Sequence, residues 1–122
     1  MEGKRTGNLV ILLVQNNKKE LKSLMNNVQE VFPDDTVVGV DSPQKAISYA
    51  DSSKVDVCFA DVEMKTGNGF VLTEELRNRN KNVCVNLMAD GTDYAIDAWR
   101  HHINDYILKP ITTDSIRHTI SK

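Results

Sequence analysis

The chain has 122 residues, 40% hydrophobic and 26% charged, with a formal net charge of -2. That suits one globular domain spanning 1–122, and so balanced a charge gives no reason to expect nucleic-acid or anionic-membrane binding through this segment. No apolar run approaches the roughly 18 residues of a membrane helix, and the polar opening at 1–7, expected to be a flexible tail, lacks a signal peptide's apolar stretch, so a cytoplasmic location is expected.

Leu9 to Val14 reads LVILLV, a run whose length and branched content suit a strand buried on both faces. From Asn17 to Val31, Leu21, Leu24, Met25, Val28 and Val31 form a helical stripe, ended at Phe32-Pro33-Asp34-Asp35. Thr36 to Val40 is a second strand. Ser42-Pro43 then predicts a helix start, with Ser as cap and Pro at the first helical position. Val55 to Ala60 is a third strand, and Asn68 to about Arg79 a helix entered through a Gly67-Asn68-Gly69 turn and cap. Val83 to Met88 is a fourth strand. Thr92 to His102 is a helix with Ala95, Ala98 and Trp99 on one side, Tyr106 to Leu108 a fifth strand, and Thr113 to Ser121 a last helix.

Strands alternating with helices argue for right-handed crossovers and a doubly wound parallel sheet. In such sheets chemistry gathers beyond the carboxyl ends of the strands. Gln15, Asn16 and Asn17 follow the first strand, Asp61 the third, Ala89 and Asp90 the fourth, Lys109 and Pro110 the fifth. A carboxylate and an ammonium therefore converge on one rim. By spacing alone that is as consistent with a structural ion pair as with a site. Cys58 and Cys84 sit in apolar strands, too far apart for a metal motif, and are read as small core residues.

The local motifs add to this. Asp61-Val62-Glu63-Met64-Lys65-Thr66-Gly67-Asn68-Gly69-Phe70 resembles the phosphoacceptor signature of CheY-like response-regulator receiver domains, matching it at Asp61, Met64, Asn68, Gly69 and Phe70. Tyr106-Ile107-Leu108-Lys109-Pro110 resembles the second receiver signature, an aromatic residue followed by Lys-Pro. With the element order, the resemblance covers Asn8 to Lys122. It implies a flavodoxin-like (βα)5 sheet of order 2-1-3-4-5. It also implies a non-enzymatic signalling role in a two-component phosphorelay. Asp61 would accept a phosphoryl group from a sensor histidine kinase or other signalling protein, and Lys109 would contact it. The family's Mg²⁺ is held by two acids after the first strand, by the acceptor and by a backbone carbonyl, here that of Glu63. A hydroxyl at the end of the fourth strand couples phosphorylation to the aromatic residue of the fifth, here Tyr106.

Two of those positions differ. Gln15 and Asn16 stand where the acidic pair belongs, and Met88 where the switch hydroxyl belongs. Mg²⁺ needs carboxylates to compete with water, so at most weak Mg²⁺ binding at Asp61 is expected, and no other cofactor. If Glu63 turned inward it would compensate in part. Without the acids, Asp61 and Lys109 would pair directly, with Gln15 and Asn16 as hydrogen-bond neighbours. A degenerate, phosphate-independent receiver is the expected reading. The alternatives are an interaction or dimerisation module and a flavodoxin-like binder of a small ligand.

The C-terminal third, with Tyr94-Ala95 before Ala98-Trp99 and Asp105-Tyr106-Ile107-Leu108-Lys109-Pro110-Ile111, resembles receivers that precede LytTR-type DNA-binding domains. An output domain beyond Lys122 is one expectation. A homodimer through helix 4, strand 5 and helix 5 is another, with Tyr106 at its interface and Trp99 read as anchoring its helix to the sheet. His101, His102 and His118 are read as solvated helix positions; Lys18 and Lys19, in the first loop near the rim where they could attract a phosphate, are read as a solvated face.

Overall fold

The computed structural model describes residues 8–120. The expected flexible tail at 1–7 lies outside the described residues, as does Ser121, the expected last residue of the final helix. The elements follow the expected alternation: β1 (Val10–Val14), α1 (Lys18–Val31), β2 (Thr36–Val40), α2 (Pro43–Ser52), β3 (Val57–Asp61), β4 (Glu63–Met64), β5 (Gly67–Asn68), α3 (Gly69–Arg79), β6 (Cys84–Ala89), α4 (Ala95–Arg100), β7 (Asp105–Leu108) and α5 (Thr113–Ile120). Five strands form a parallel sheet of order β2-β1-β3-β6-β7. With the two-residue strands β4 and β5 set aside, this is the expected order 2-1-3-4-5. β4 and β5 make a small antiparallel hairpin in the loop after β3, which the pattern did not foretell.

Alternation along β1 divides the core. Ile11 and Leu13 join Leu24, Val28, Phe32, Phe59, Met88, Ile107 and Ile116 beneath α1 and α5. Leu12 and Val14 join Ala46, Cys58, Ala60, Leu72, Leu76, Val85 and Leu87 beneath α2 and α3. Burying one such aliphatic side chain contributes roughly 1.5–3 kcal/mol, against under about 1 kcal/mol for an exposed ion pair. The sheet's two faces, and not surface pairs such as Arg79–Asp51, hold the fold.

The caps set where helices enter the rim. Asn17 caps α1 by accepting from the Glu20 N–H, Ser42 caps α2 ahead of Pro43, and Asn68 caps α3 by accepting from the Phe70 and Val71 N–H groups. Gly69 starts α3 directly against the end of β3. A Cβ there would lie 2.7 Å from the Asp61 carbonyl oxygen and 2.8 Å from Leu87 Cδ2, so only glycine permits this approach.

Four expectations are corrected. The fourth helix spans Ala95–Arg100 rather than 92–102: Tyr94 leads in without a side-chain cap, and His102 turns to positive φ just beyond the end. Trp99 does not anchor that helix. It is 78% exposed, and Ala98 is the residue that faces the core. Cys84 is half-buried rather than a core residue, although Cys58 is fully buried and both are free thiols. His101 is also half-buried, its ring centroid 4.9 Å from that of Phe70. Among the described residues no helix is long and apolar enough to cross a membrane.

Candidate functional site

Parallel pairing fixes the rim. Asp61 is the last residue of β3 and pairs with Met88 in β6. The Val62 N–H donates to the Met88 carbonyl and the Lys109 N–H to the Ala89 carbonyl, each at 2.9 Å. Gln15, Asp61, Met88 and Lys109 thus sit side by side although the sequence spreads them over 95 positions. The Lys109-Pro110 peptide is cis.

Asp61 is 6% exposed and Gln15 4%. The Gln15 Nε2 donates to Asp61 Oδ2 at 2.6 Å and to Glu20 Oε1 at 3.3 Å. The Lys109 ammonium reaches the same two oxygens, Asp61 Oδ2 at 3.0 Å and Glu20 Oε1 at 3.1 Å. Two donors and two carboxylates therefore form a closed ring. The Gln15 Oε1 accepts from the Asn17 N–H at 3.0 Å, which orients the amide. With the amide reversed, an oxygen would face the Asp61 carboxylate and the Asn17 N–H would meet a donor. Asp61 Oδ1 is buried and is the one buried side-chain oxygen or nitrogen among the described residues without a hydrogen-bond partner.

Burial pushes the Asp61 carboxyl above the ordinary carboxylate range, and the Lys109 ammonium and Gln15 amide offset only part of that push. Burial acts against the Lys109 charge too, but hydrogen bonds and charge from Asp61 and Glu20 outweigh it, and the ammonium is held above its usual range.

Of the other expected positions, Asn16 does not join Asp61. Its Nδ2 donates to the Asp41 carbonyl at 2.7 Å, and its Oδ1 accepts from the Lys65 N–H at 2.6 Å, tying two neighbouring loops together. Glu63 does not turn inward either: its carboxylate accepts from the Tyr94 hydroxyl. The Tyr106 hydroxyl donates to the Gly91 carbonyl. Met88 lies in the apolar cluster beneath α1 and α5. Lys18 and Lys19 are exposed.

Glu20 was missed. Its signal was present: Asn17 and Glu20 are spaced as a helix cap and the third residue inside, where a carboxylate commonly turns back toward the helix start. Here the Glu20 carboxylate goes to Lys109 instead.

Three clefts open on this rim. One of about 320 Å³ lies on the β1 side and is lined by Gln15, Asn16, Glu20, Asp61, Glu63 and Lys65, among others. One of about 90 Å³ lies on the β6 side and includes Asp61, Glu63, Met88, Ala89, Tyr94 and Lys109. A third, of about 400 Å³, runs between α1 and the segment after β7, past Glu20, Leu24, Met88, Lys109 and Ile111.

Comparison with known proteins gives a consistent result. A family described as the response regulator receiver domain matches residues 11–121. The transcriptional regulatory protein NatR of Bacillus subtilis is 26% identical over 98 residues, 80% of this chain and 41% of that protein. The sensory transduction protein LytT of Bacillus cereus is 27% identical over 106 residues, 86% of this chain and 42% of that protein. The chain spans about two-fifths of the length of these relatives. The receiver domain of the sensor histidine kinase PA1611 of Pseudomonas aeruginosa, solved with a magnesium ion coordinated in its active-site cleft, superposes with a TM-score of 0.80 at 18% identity, covering 93% of this chain and 95% of that one.

Proposed function

The chain belongs to the response regulator receiver domain family, and from that premise we propose that it is a phosphate-independent receiver acting in the cytoplasm as a binding module of a two-component pathway. In this reading Asp61 occupies the phosphoacceptor position, Lys109 the phosphoryl-contacting position, and Gln15, Asn16 and Glu63 the positions of a lost metal site. Met88 and Tyr106 are the remnants of the switch. The partners are a sensor histidine kinase or other signalling protein and, given how little of NatR and LytT the chain spans, a DNA-binding output domain beyond Lys122.

One observation carries the reading: the amide of Gln15 is hydrogen-bonded to Asp61 Oδ2, with its own oxygen turned to the Asn17 N–H. A magnesium site needs oxygens that are free to bind. Here the Gln15 and Asn16 oxygens each accept a backbone N–H, the Glu63 carboxylate is held by Tyr94, and Asp61 Oδ2 is shared by Gln15 and Lys109. Asp61 Oδ1 is the one buried side-chain oxygen among the described residues left without a partner. Among the described residues no three His, Cys, Asp or Glu side chains are grouped to hold a metal. The donor set does not fit Mg²⁺, and Lys109 supplies the positive charge beside Asp61 instead.

The test is intact-mass analysis after incubation with Mg²⁺ and acetyl phosphate. The expected result is an unchanged mass. A stable phosphoryl adduct mapped to Asp61 would overturn the phosphate-independent reading.

A second reading, self-association, is favoured by a specific surface. Ile96 and Trp99 on α4 and Leu108 on β7 are 66%, 78% and 47% exposed, and large apolar side chains left together in water mark interaction sites. Under this reading α4, β7 and α5 form a homodimer face.

A further inference from the structure

The chain has six glycines, and two of them follow Asn or Asp: Gly69 after Asn68, and Gly91 after Asp90. Such pairs carry a chemistry of their own. A glycine has no side chain to hinder its nitrogen, which can attack the side-chain carbonyl carbon of the residue before it. The attack needs a nitrogen and a carbonyl that other bonds do not hold. By sequence alone Asn68-Gly69 ranks first, because in neutral water an amide expels ammonia more readily than a carboxyl group expels water.

The fold closes that first pair. The Gly69 N–H donates to the Val62 carbonyl at 2.8 Å, and Gly69 is buried. Asn68 Oδ1 accepts from the Phe70 and Val71 N–H groups at 2.9 Å each. Asp90-Gly91 is open by comparison. Both residues are exposed and lie between β6 and α4, in neither helix nor strand. Among the described residues the Gly91 N–H has no acceptor and the Asp90 carboxylate no hydrogen-bond or ion-pair partner.

We propose that Asp90 is a site of spontaneous modification in the folded chain, converting to isoaspartate, and that the change unties the loop between β6 and α4 from Tyr106. The Gly91 nitrogen bonds to the Asp90 side-chain carboxyl carbon, and the nitrogen's proton leaves with the carboxyl hydroxyl as water. Water then reopens the cyclic imide. Addition at the side-chain carbonyl restores aspartate, and addition at the main-chain carbonyl gives isoaspartate. Nothing is oxidised or reduced, and water is the sole reagent. The product keeps a carboxylate, but its main chain runs through the former side chain and is longer by a carbon. The Gly91 carbonyl is the acceptor of the Tyr106 hydroxyl, so the inserted carbon displaces an acceptor whose donor is fixed on β7.

The test is to hold the protein in neutral buffer, folded and in urea, and to map peptides over weeks with electron-transfer fragmentation, which separates isoaspartate from aspartate. Folding should slow conversion at Asn68 roughly a hundredfold, the shift that three hydrogen bonds supply. At Asp90 it should change the rate by less than about threefold, since an exposed loop opens at almost no free-energy cost. Gly91→Ala is free of strain, because the added carbon meets nothing within 4 Å and Gly91 is not at positive φ. By hindering the nitrogen it should lower isoaspartate at position 90 severalfold. A folded parent without isoaspartate at position 90 would overturn the proposal. So would equal protection of the two pairs by folding, or an unchanged rate in Gly91→Ala. The isolated isoaspartate form should exchange amide hydrogens faster than the parent over 92–100, with β1 and β3 unchanged. Unaltered exchange over 92–100 would overturn the untying of the loop. None of these outcomes bears on whether Asp61 takes a phosphoryl group.

Discussion

On the β1 side of Asp61, the side-chain polar atoms of Gln15 and Asn16 are all spent on partners inside the fold. On the β6–β7 side the partners are hydroxyls near the surface, Tyr94 on Glu63 and Tyr106 on Gly91, with apolar side chains of α4 and β7 left uncovered beyond them. The two sides flank one carboxylate but differ in what they can still do. A buried amide with every bond made is costly to move, because each broken bond leaves a desolvated group behind. A surface hydroxyl that lets go is taken up by water. The β1 side is therefore built as permanent support, and the β6–β7 side as the part of the rim able to respond to a partner.

The sharpest way to break this contrast is to compare one substitution from each side. Gln15→Ala removes the donor to the buried Asp61 Oδ2 and to Glu20 and takes away the acceptor of the Asn17 N–H. A cost of about 2 kcal/mol is expected. Tyr106→Phe removes one exposed hydrogen bond, to a carbonyl that water can reach, and should cost under about 0.5 kcal/mol. Urea denaturation of both variants against the parent measures the difference. Equal costs would mean that the two sides are not distinguished by burial.

The next effect is smaller and depends on pH. The Asp61 carboxyl is raised in the folded state, chiefly by burial. A group with a raised folded pKa contributes stability that is fully present below its unfolded value, about 3.9 for aspartate, and lost as pH rises through the folded value. Above that folded value the parent has lost the contribution, and there Asp61→Asn, which cannot ionise, should melt roughly 3 °C higher, within what a change of under 1 kcal/mol produces. The advantage should shrink on acidification and vanish below about pH 4. Melting curves at neutral pH and at intervals down to pH 4 decide it. A variant that melts lower at neutral pH would show that the Lys109 and Gln15 bonds to Asp61 outweigh its burial.

These experiments probe what the sequence left unread. Order, spacing and the residues flanking Asp61 and Lys109 were legible because they are patterns along the chain. Leu9–Val14 suited a buried strand, and Ser42-Pro43 and Asn68-Gly69 announced their helices through capping chemistry. The acid-to-amide changes at Gln15 and Asn16 were equally plain. What no pattern along the chain gives is the direction of a side chain that has a choice. Asn16 could face Asp61 or the loops, and two backbone partners took it. Glu63 could turn in or out, and Tyr94, from 31 positions further along, drew it out. Glu20 could close its own cap or reach Lys109, and the ammonium won because a charged partner makes the stronger hydrogen bond. Trp99 was misjudged for a related reason. The helix it belongs to is only six residues long, and so short a helix buries one narrow stripe, which Ala98 fills.

That misjudgement sets up the smallest expected effect on stability. Trp99 is 78% exposed, so Trp99→Ala should change the monomer's unfolding free energy by less than about 0.5 kcal/mol, as surface substitutions do. If α4 and β7 form an interface, the same change removes its largest apolar side chain, and an aromatic anchor of that kind commonly accounts for 2 kcal/mol or more, roughly a thirtyfold loss of affinity. Sedimentation of parent and variant over a concentration series, alongside denaturation, separates the two quantities. Weaker association with unchanged monomer stability places the Trp99 surface on the responsive side of the comparison. A substantial loss of stability would return Trp99 to the role of an anchor. A parent that stays monomeric throughout the series would remove self-association as the reason the surface is left uncovered.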